Sequence, residues 1–98
     1  MLRMLIVDDE PIIVEGLYEL FLQSEHLELE IHQALDGVEA LAIASKLRID
    51  ILLTDYSMPE MDGHELQLAI TRIWPRCKVI FLSGYNDFEY IQTTMRSG

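Results

Sequence analysis

The stretch LLTDYSMPEMDG, residues 52–63, decides the fold. With Ile51 it opens as a short, unbroken apolar run that stops at Thr54 and Asp55. Short apolar runs bounded by turn residues suit strands buried on both faces, the kind found in parallel sheets. This one ends on a carboxylate. It is followed by a loop carrying Pro59 and Gly63, and by Asp62 with Glu65 three residues on, the signature of a capped helix start. The stretch therefore reads strand, polar tip, tight loop, helix.

The same unit recurs on either side. Met4-Leu5-Ile6-Val7 is a buried-type strand ending in Asp8-Asp9-Glu10. Pro11 then suits a first helical turn, and Ile13, Leu17, Leu20 and Phe21 place an apolar face on a helix over residues 11–24. Leu29, Ile31 and Gln33-Ala34 form a weaker alternating strand. Asp36 with Glu39 resembles a capping box for a second helix, with Val38, Leu41 and Ala42 on its apolar face, running to about Leu47. After the quoted stretch, Leu66, Ala69, Ile70 and Ile73 sit at i, i+3, i+4 and i+7, and Pro75 ends that helix. Lys78-Val79-Ile80-Phe81-Leu82 reads as a fourth strand. Ser83-Gly84-Tyr85-Asn86 reads as a loop, and Asp87 as the cap of a last helix with Phe88, Ile91 and Met95. Strands alternating with helices imply an α/β fold: a parallel sheet with right-handed crossovers and helices on both faces. One domain of residues 1–98 follows from the length.

In such sheets, ligands bind outside the carboxyl ends of the strands. Three strands end in polar groups: the first at Asp8 and Asp9, the third at Asp55, the fourth at Ser83. Three carboxylates in one small volume raise one another's pKa unless something compensates. A divalent cation is the natural compensation. A few carboxylates completed by water suit Mg2+, and zinc is disfavoured because no histidine or thiol belongs to the set. A carboxylate beside Mg2+ can also act as a nucleophile toward phosphorus, forming an aspartyl phosphate. The metal would neutralise the equatorial oxygens, and Ser83 would donate a hydrogen bond to one of them.

Composition narrows the partners. Seventeen acids against seven bases give a net charge of −10 and argue against nucleic acid or anionic lipid as a direct partner. No apolar run approaches the ~20 residues that span a bilayer, and no signal peptide is visible, so a cytoplasmic location is expected. The lone Cys77 cannot staple the domain, which fits a reducing compartment. Its neighbours Arg76 and Lys78 would lower its pKa if they approached the thiol, although an incidental thiol before a strand is the simpler reading. His26 and His32 are read as surface groups, His64 as a first-turn helix residue, and Met58 with Met61 as packing for the loop.

These residues resemble the receiver domains of two-component response regulators. The matching pieces are LIVDDEP (5–11), LLTDYSMPEMDG (52–63) and VIFLSGY (79–85). The pattern D-x-x-M-P-x-M-D-G from Asp55 to Gly63 is highly specific, and the likeness covers essentially the whole chain. The wording GYNDFEYIQ is similar to receivers joined to an AraC-type helix-turn-helix output. The resemblance implies a flavodoxin-like doubly wound sheet with strand order 2-1-3-4, before a fifth strand and helix. It implies that Asp55 accepts phosphate from a sensor histidine kinase. Asp9, Asp55 and the backbone carbonyl of Ser57 would hold Mg2+ with help from Asp8, and Ser83 would be the switch hydroxyl. The output, read as a DNA-binding transcription regulator, would lie outside this chain. Such a module turns over slowly and is not classed as an enzyme.

The family also carries a lysine at the end of the fifth strand. The chain reaches Gly98 before that element, and neither Lys46 nor Lys78 is placed to substitute. On this reading Val79-Ile80-Phe81-Leu82 is an apolar edge, and a marginal monomer or a homo-oligomer through that edge is expected. Three other classes compete. A phosphorylation-independent dimerisation or interaction module would not need Mg2+. A phosphatase or phosphotransferase with an Asp nucleophile usually has a second acid two residues on, where this chain has Ser57. A flavin-binding sheet would want a phosphate loop where Asp8-Asp9-Glu10 stand, and those acids would repel a phosphate.

Overall fold

Parallel pairing of four strands organises the computed structural model, which describes residues 1–24 and 28–82. The elements are β1 (Leu2–Val7), α1 (Pro11–Leu22), β2 (Leu29–Ala34), α2 (Gly37–Lys46), β3 (Ile51–Asp55), α3 (Gly63–Ile73) and β4 (Lys78–Leu82). The sheet order is β2-β1-β3-β4. This is the doubly wound α/β arrangement anticipated from the alternation of elements. The expected last helix, with Asp87, Phe88, Ile91 and Met95, lies outside the described residues.

Register fixes where the strands end. Val7 stands opposite Ala34 on one side and Thr54 on the other, and Asp55 stands opposite Leu82. The residues that follow β1 and those that close β3 therefore emerge at one end of the sheet. Lys78 faces Ile51 at the opposite end.

Alternation of side chains gives the sheet two apolar faces. Met4, Ile6, Ile51, Leu53 and Ile80 point to one and pack with Val14 and Phe21 of α1. Leu5, Val7 and Leu52 point to the other, against Ala40 and Ala44 of α2 and Leu66 and Ile70 of α3. Both central strands are buried on both sides, which is why they read as continuous apolar runs. β4 is at the edge of the sheet among the described strands.

Two helix faces differ from the sequence expectation. α1 buries Val14 and Phe21, with Leu17 beside them, while Ile13 and Leu20 are exposed. α2 buries Gly37, Ala40 and Ala44 and leaves Val38 exposed. In both cases the buried positions are those that pack into the clusters against the sheet, and they are not the most hydrophobic ones. In α2 they are small, so the helix axis comes close to the strands. α1 is also shorter than residues 11–24, with Gln23 as its C-cap. α3 is as read, with a full reciprocal capping box between Asp62 and Glu65. Its last residue, Ile73, is exposed rather than buried.

Candidate functional site

The sheet's carboxyl end gathers the acids. Val7 is the last residue of β1, so the chain leaves the sheet at Asp8 and Asp9. Asp55 is the last residue of β3 on the adjacent strand. One carboxylate oxygen from each of Asp8, Asp9 and Asp55 lies within 4.8 Å of the others. The buried strands hold this convergence: Met4 to Val7 and Ile51 to Thr54 are all buried, so the termini of β1 and β3 have little freedom to separate.

The three acids differ in environment. Asp8 is buried, Asp9 is exposed and Asp55 is intermediate. Burial pushes the Asp8 carboxyl up to about 6, opposed by the Glu10 N–H and reinforced by the charges of Asp55, Asp9 and Glu10. The Glu10 N–H donates to Asp8 Oδ1 at 2.9 Å, and the Asp8 N–H donates to the Ala34 carbonyl at 3.3 Å. Among the described residues none of the three carboxylates has an ion-pair partner, and an all-oxygen donor set fits a hard divalent cation such as Mg2+.

The loop 56–62 closes the other side. The Gly63 N–H donates to the Tyr56 carbonyl at 2.8 Å, and the Met61 N–H to the Pro59 carbonyl at 2.7 Å. Met58 is buried in the core beneath the loop, while Ser57 is exposed, and Glu60 takes a left-handed φ of 68°. An open cleft of about 340 Å3 over the loop is lined by Tyr56, Ser57, Met58, Pro59 and Asp62. Gly63 does more than start α3. A side chain there would run into the backbone carbonyl oxygen of Asp55, so the return of the chain past the acidic strand end needs glycine. Sequence reading assigned it only the helix start, because the close approach is made between backbone segments.

Asp8, Asp9 and Asp55 thus come together as anticipated, and Ser57 sits in the adjoining loop. Ser83 lies outside the described residues, as does His26. Lys46 is in the last turn of α2 and Lys78 begins β4, away from the acids. His64 is exposed in the first turn of α3. His32 is more than a surface group: its Nε2 is 2.8 Å from Glu30 Oε2, which also accepts from Arg3 Nε at 2.6 Å. The hydrogen bonds from His32 and Arg3 hold the Glu30 carboxyl below its ordinary range. Cys77 follows the simpler reading, an incidental thiol, and not activation by its neighbours. Arg76 and Lys78 are exposed, and burial pushes the thiol up to about 11.

Residues 4–98 match the family described as the response regulator receiver domain. The chain belongs to this family. The receiver domain is 38% identical over 92 residues to the transcriptional regulatory protein HptR of Staphylococcus aureus, covering 94% of this chain and 36% of that protein. Among solved structures it is similar to a two-component transcriptional regulator AraC from Clostridium phytofermentans, with 47% identity, TM-score 0.79, and 92% and 73% of the two chains covered. The chemotaxis protein CheY4 of Vibrio cholerae matches with TM-score 0.76 at 28% identity, covering 92% of this receiver and 76% of that chain. The receiver spans about a third of the length of the curated relatives it matches. It is a module of two-component signalling, and the relatives named here are bacterial. No helix among the described residues is long and apolar enough to cross a membrane.

Proposed function

We propose that Asp55 accepts a phosphoryl group from a phosphohistidine of a sensor histidine kinase, with Mg2+ held by Asp8, Asp9, Asp55 and the backbone carbonyl of Ser57. The observation that carries this is the meeting of three carboxylates at the ends of two adjacent strands that are buried over Met4–Val7 and Ile51–Thr54. An Asp55 carboxylate oxygen attacks phosphorus and forms the O–P bond. The N–P bond to the kinase histidine breaks, its electron pair stays on the imidazole nitrogen, and that nitrogen takes a proton from water. Bound Mg2+ supplies positive charge against the phosphoryl oxygens. The chain's own residues do the rest. The rigid β3 aims Asp55 outward, and its intermediate exposure leaves it open to a donor. Asp8, ionised only against a cost of burial, adds charge that favours a cation.

Ser83 is the proposed switch hydroxyl that reads the phosphoryl group. The output it serves lies outside this chain and, given that the HptR relatives are transcriptional regulators, is a DNA-binding domain. The module accepts one group and passes a signal, so it is not a turnover enzyme.

The test uses a small phosphodonor such as acetyl phosphate with Mg2+. The intact receiver domain should acquire an acid-labile, hydroxylamine-sensitive phosphoryl group, and Asp55→Asn should abolish it. Labelling of the variant at the parent's level would overturn the assignment of Asp55. Labelling that survives chelation of Mg2+ would overturn the role of the acid cluster.

A further inference from the structure

Gly37, at the start of α2, touches the acidic site only through other residues, yet its missing side chain is what lets the loop after β3 sit where it does. The Met61 side chain lies directly over Gly37. A Cβ on Gly37 would be 2.7 Å from Met61 Sδ, 2.9 Å from its Cβ and 3.0 Å from its Cγ. The sulfur could swing aside, but Met61 Cβ moves only with the backbone, so the loop itself would have to shift. Gly37 is buried and Met61 packs against the same apolar cluster as α2 and α3.

The corner that Gly37 belongs to meets the site from two sides. Ala34, the last residue of β2, accepts the Asp8 N–H. Asp36 caps α2 by accepting the Glu39 N–H at 2.7 Å, which fixes the first turn where Gly37 stands. From there Met61 reaches into the loop that carries Ser57. The loop has a buried anchor at Met58, a backbone tie from Gly63 to Tyr56, and the Met61 seat on Gly37. Ser57 lies between the first two, next in sequence to Met58. A shift of the seat therefore passes to the Ser57 carbonyl through only a few residues.

We infer that Gly37 is a positioning residue: its bare Cα forms the seat for Met61 and so sets the Ser57 carbonyl relative to Asp8, Asp9 and Asp55. The inference rests on the proposed phosphoacceptor reading. Small misplacements of ligand-bearing segments have large effects on metal sites and on transfer chemistry.

A double-mutant cycle tests it, with Mg2+ affinity measured by calorimetry and stability by urea unfolding. Gly37→Ala should weaken Mg2+ by about tenfold, the scale seen when residues supporting a metal site are lost. Met61→Ala should weaken it less, and the double variant should bind about as well as Met61→Ala alone, because the clash has gone. That non-additivity is the signature of a direct contact. A merely structural role would lower the urea midpoint and leave Mg2+ affinity of the folded protein unchanged. Losses that simply multiply, or parental Mg2+ affinity in Gly37→Ala, overturn the inference. Met61→Phe approaches the seat from the loop side, in case Gly37→Ala does not fold. It should also weaken Mg2+, and parental affinity there overturns the inference as well. If the parent chain itself neither binds Mg2+ nor takes label, the phosphoacceptor reading fails. If the parent does both and the variants match it, only the seat fails.

Discussion

Asp8 has the least comfortable charge of the described residues. Its ordinary value near 3.8 is raised to about 6 in the fold, first by burial and then by its acidic neighbours. Between about pH 4 and 6 the folded, metal-free chain therefore holds a proton that the unfolded chain has released. This group's contribution to stability is full below pH 4 and is lost as pH rises through 6. Asp8→Asn removes the charge and keeps an oxygen to accept the Glu10 N–H. In chelator at pH 7 the variant should be more stable by about 1–2 kcal/mol, since one pK unit is worth about 1.4 kcal/mol and the group retains some access to water. The gain should vanish at pH 4. Urea unfolding at the two pH values checks this, and a variant less stable than its parent at pH 7 would contradict it. Asp8 was legible in the sequence because an acid at the end of a buried strand has few places to go. Cys77 fits the simpler of its two readings, an incidental thiol before a strand, because adjacent positions in a chain do not face one another: Arg76 and Lys78 are exposed, and the thiol is buried.

Elements were read well where a signal is local and less well where packing decides. The Asp62–Glu65 box and the Pro75 stop are local, and α3 lies where they put it. The α2 face is not local. Val38, Leu41 and Ala42 looked like the apolar stripe; Leu41 does pack on the core, but Val38 and Ala42 are exposed, and Gly37, Ala40 and Ala44 are the buried residues. Hydrophobicity counts large side chains, whereas a helix crossing close to strands needs small ones there. The role of Gly37 was hidden for the same reason, since its partner Met61 is distant in sequence and only the fold brings them together. This makes a testable contrast between two neighbouring positions. Ala40→Leu overpacks the α2–sheet contact and should cost about 1–3 kcal/mol. Val38→Asp, on an exposed position, should stay within about 0.5 kcal/mol of the parent. Thermal or urea unfolding of both variants decides it, and a larger loss in Val38→Asp would mean that α2 is rotated from the face described.

At the scale of the whole molecule, parallel strands sort the charge. Arg3, Arg48, Arg76 and Lys78 stand near the beginnings of β1, β3 and β4, whereas Asp8, Asp9, Asp36, Asp55 and Asp62 gather around the strand ends. Among the described residues, acids are therefore dense where the three carboxylates already meet, while Glu30 and Asp50 at the other end pair with Arg3 and Arg48. The alternation of strands and helices was enough to predict that the strand ends converge, but the strand order itself came from the family resemblance. A cation bound at the acidic end relieves repulsion that only the folded chain suffers, so it should stabilise the fold by mass action. At a Mg2+ concentration 100 times Kd the gain is about 2.7 kcal/mol. For a chain of this size that amounts to roughly 10 °C or more in Tm. NaCl at equal ionic strength screens the charges without filling the site and should give a clearly smaller shift. Protons compete with the metal for Asp8, so the Mg2+ effect should be full at pH 7.5 and shrink as pH falls through 6. Asp55→Asn should reduce it at every pH by removing one carboxylate of the cluster. Differential scanning calorimetry across this grid separates the two sources of stabilisation. A Tm that responds equally to both salts, or a Mg2+ shift that persists unchanged at pH 5, would mean that the acids act as a diffuse surface charge and not as one coordinating cluster.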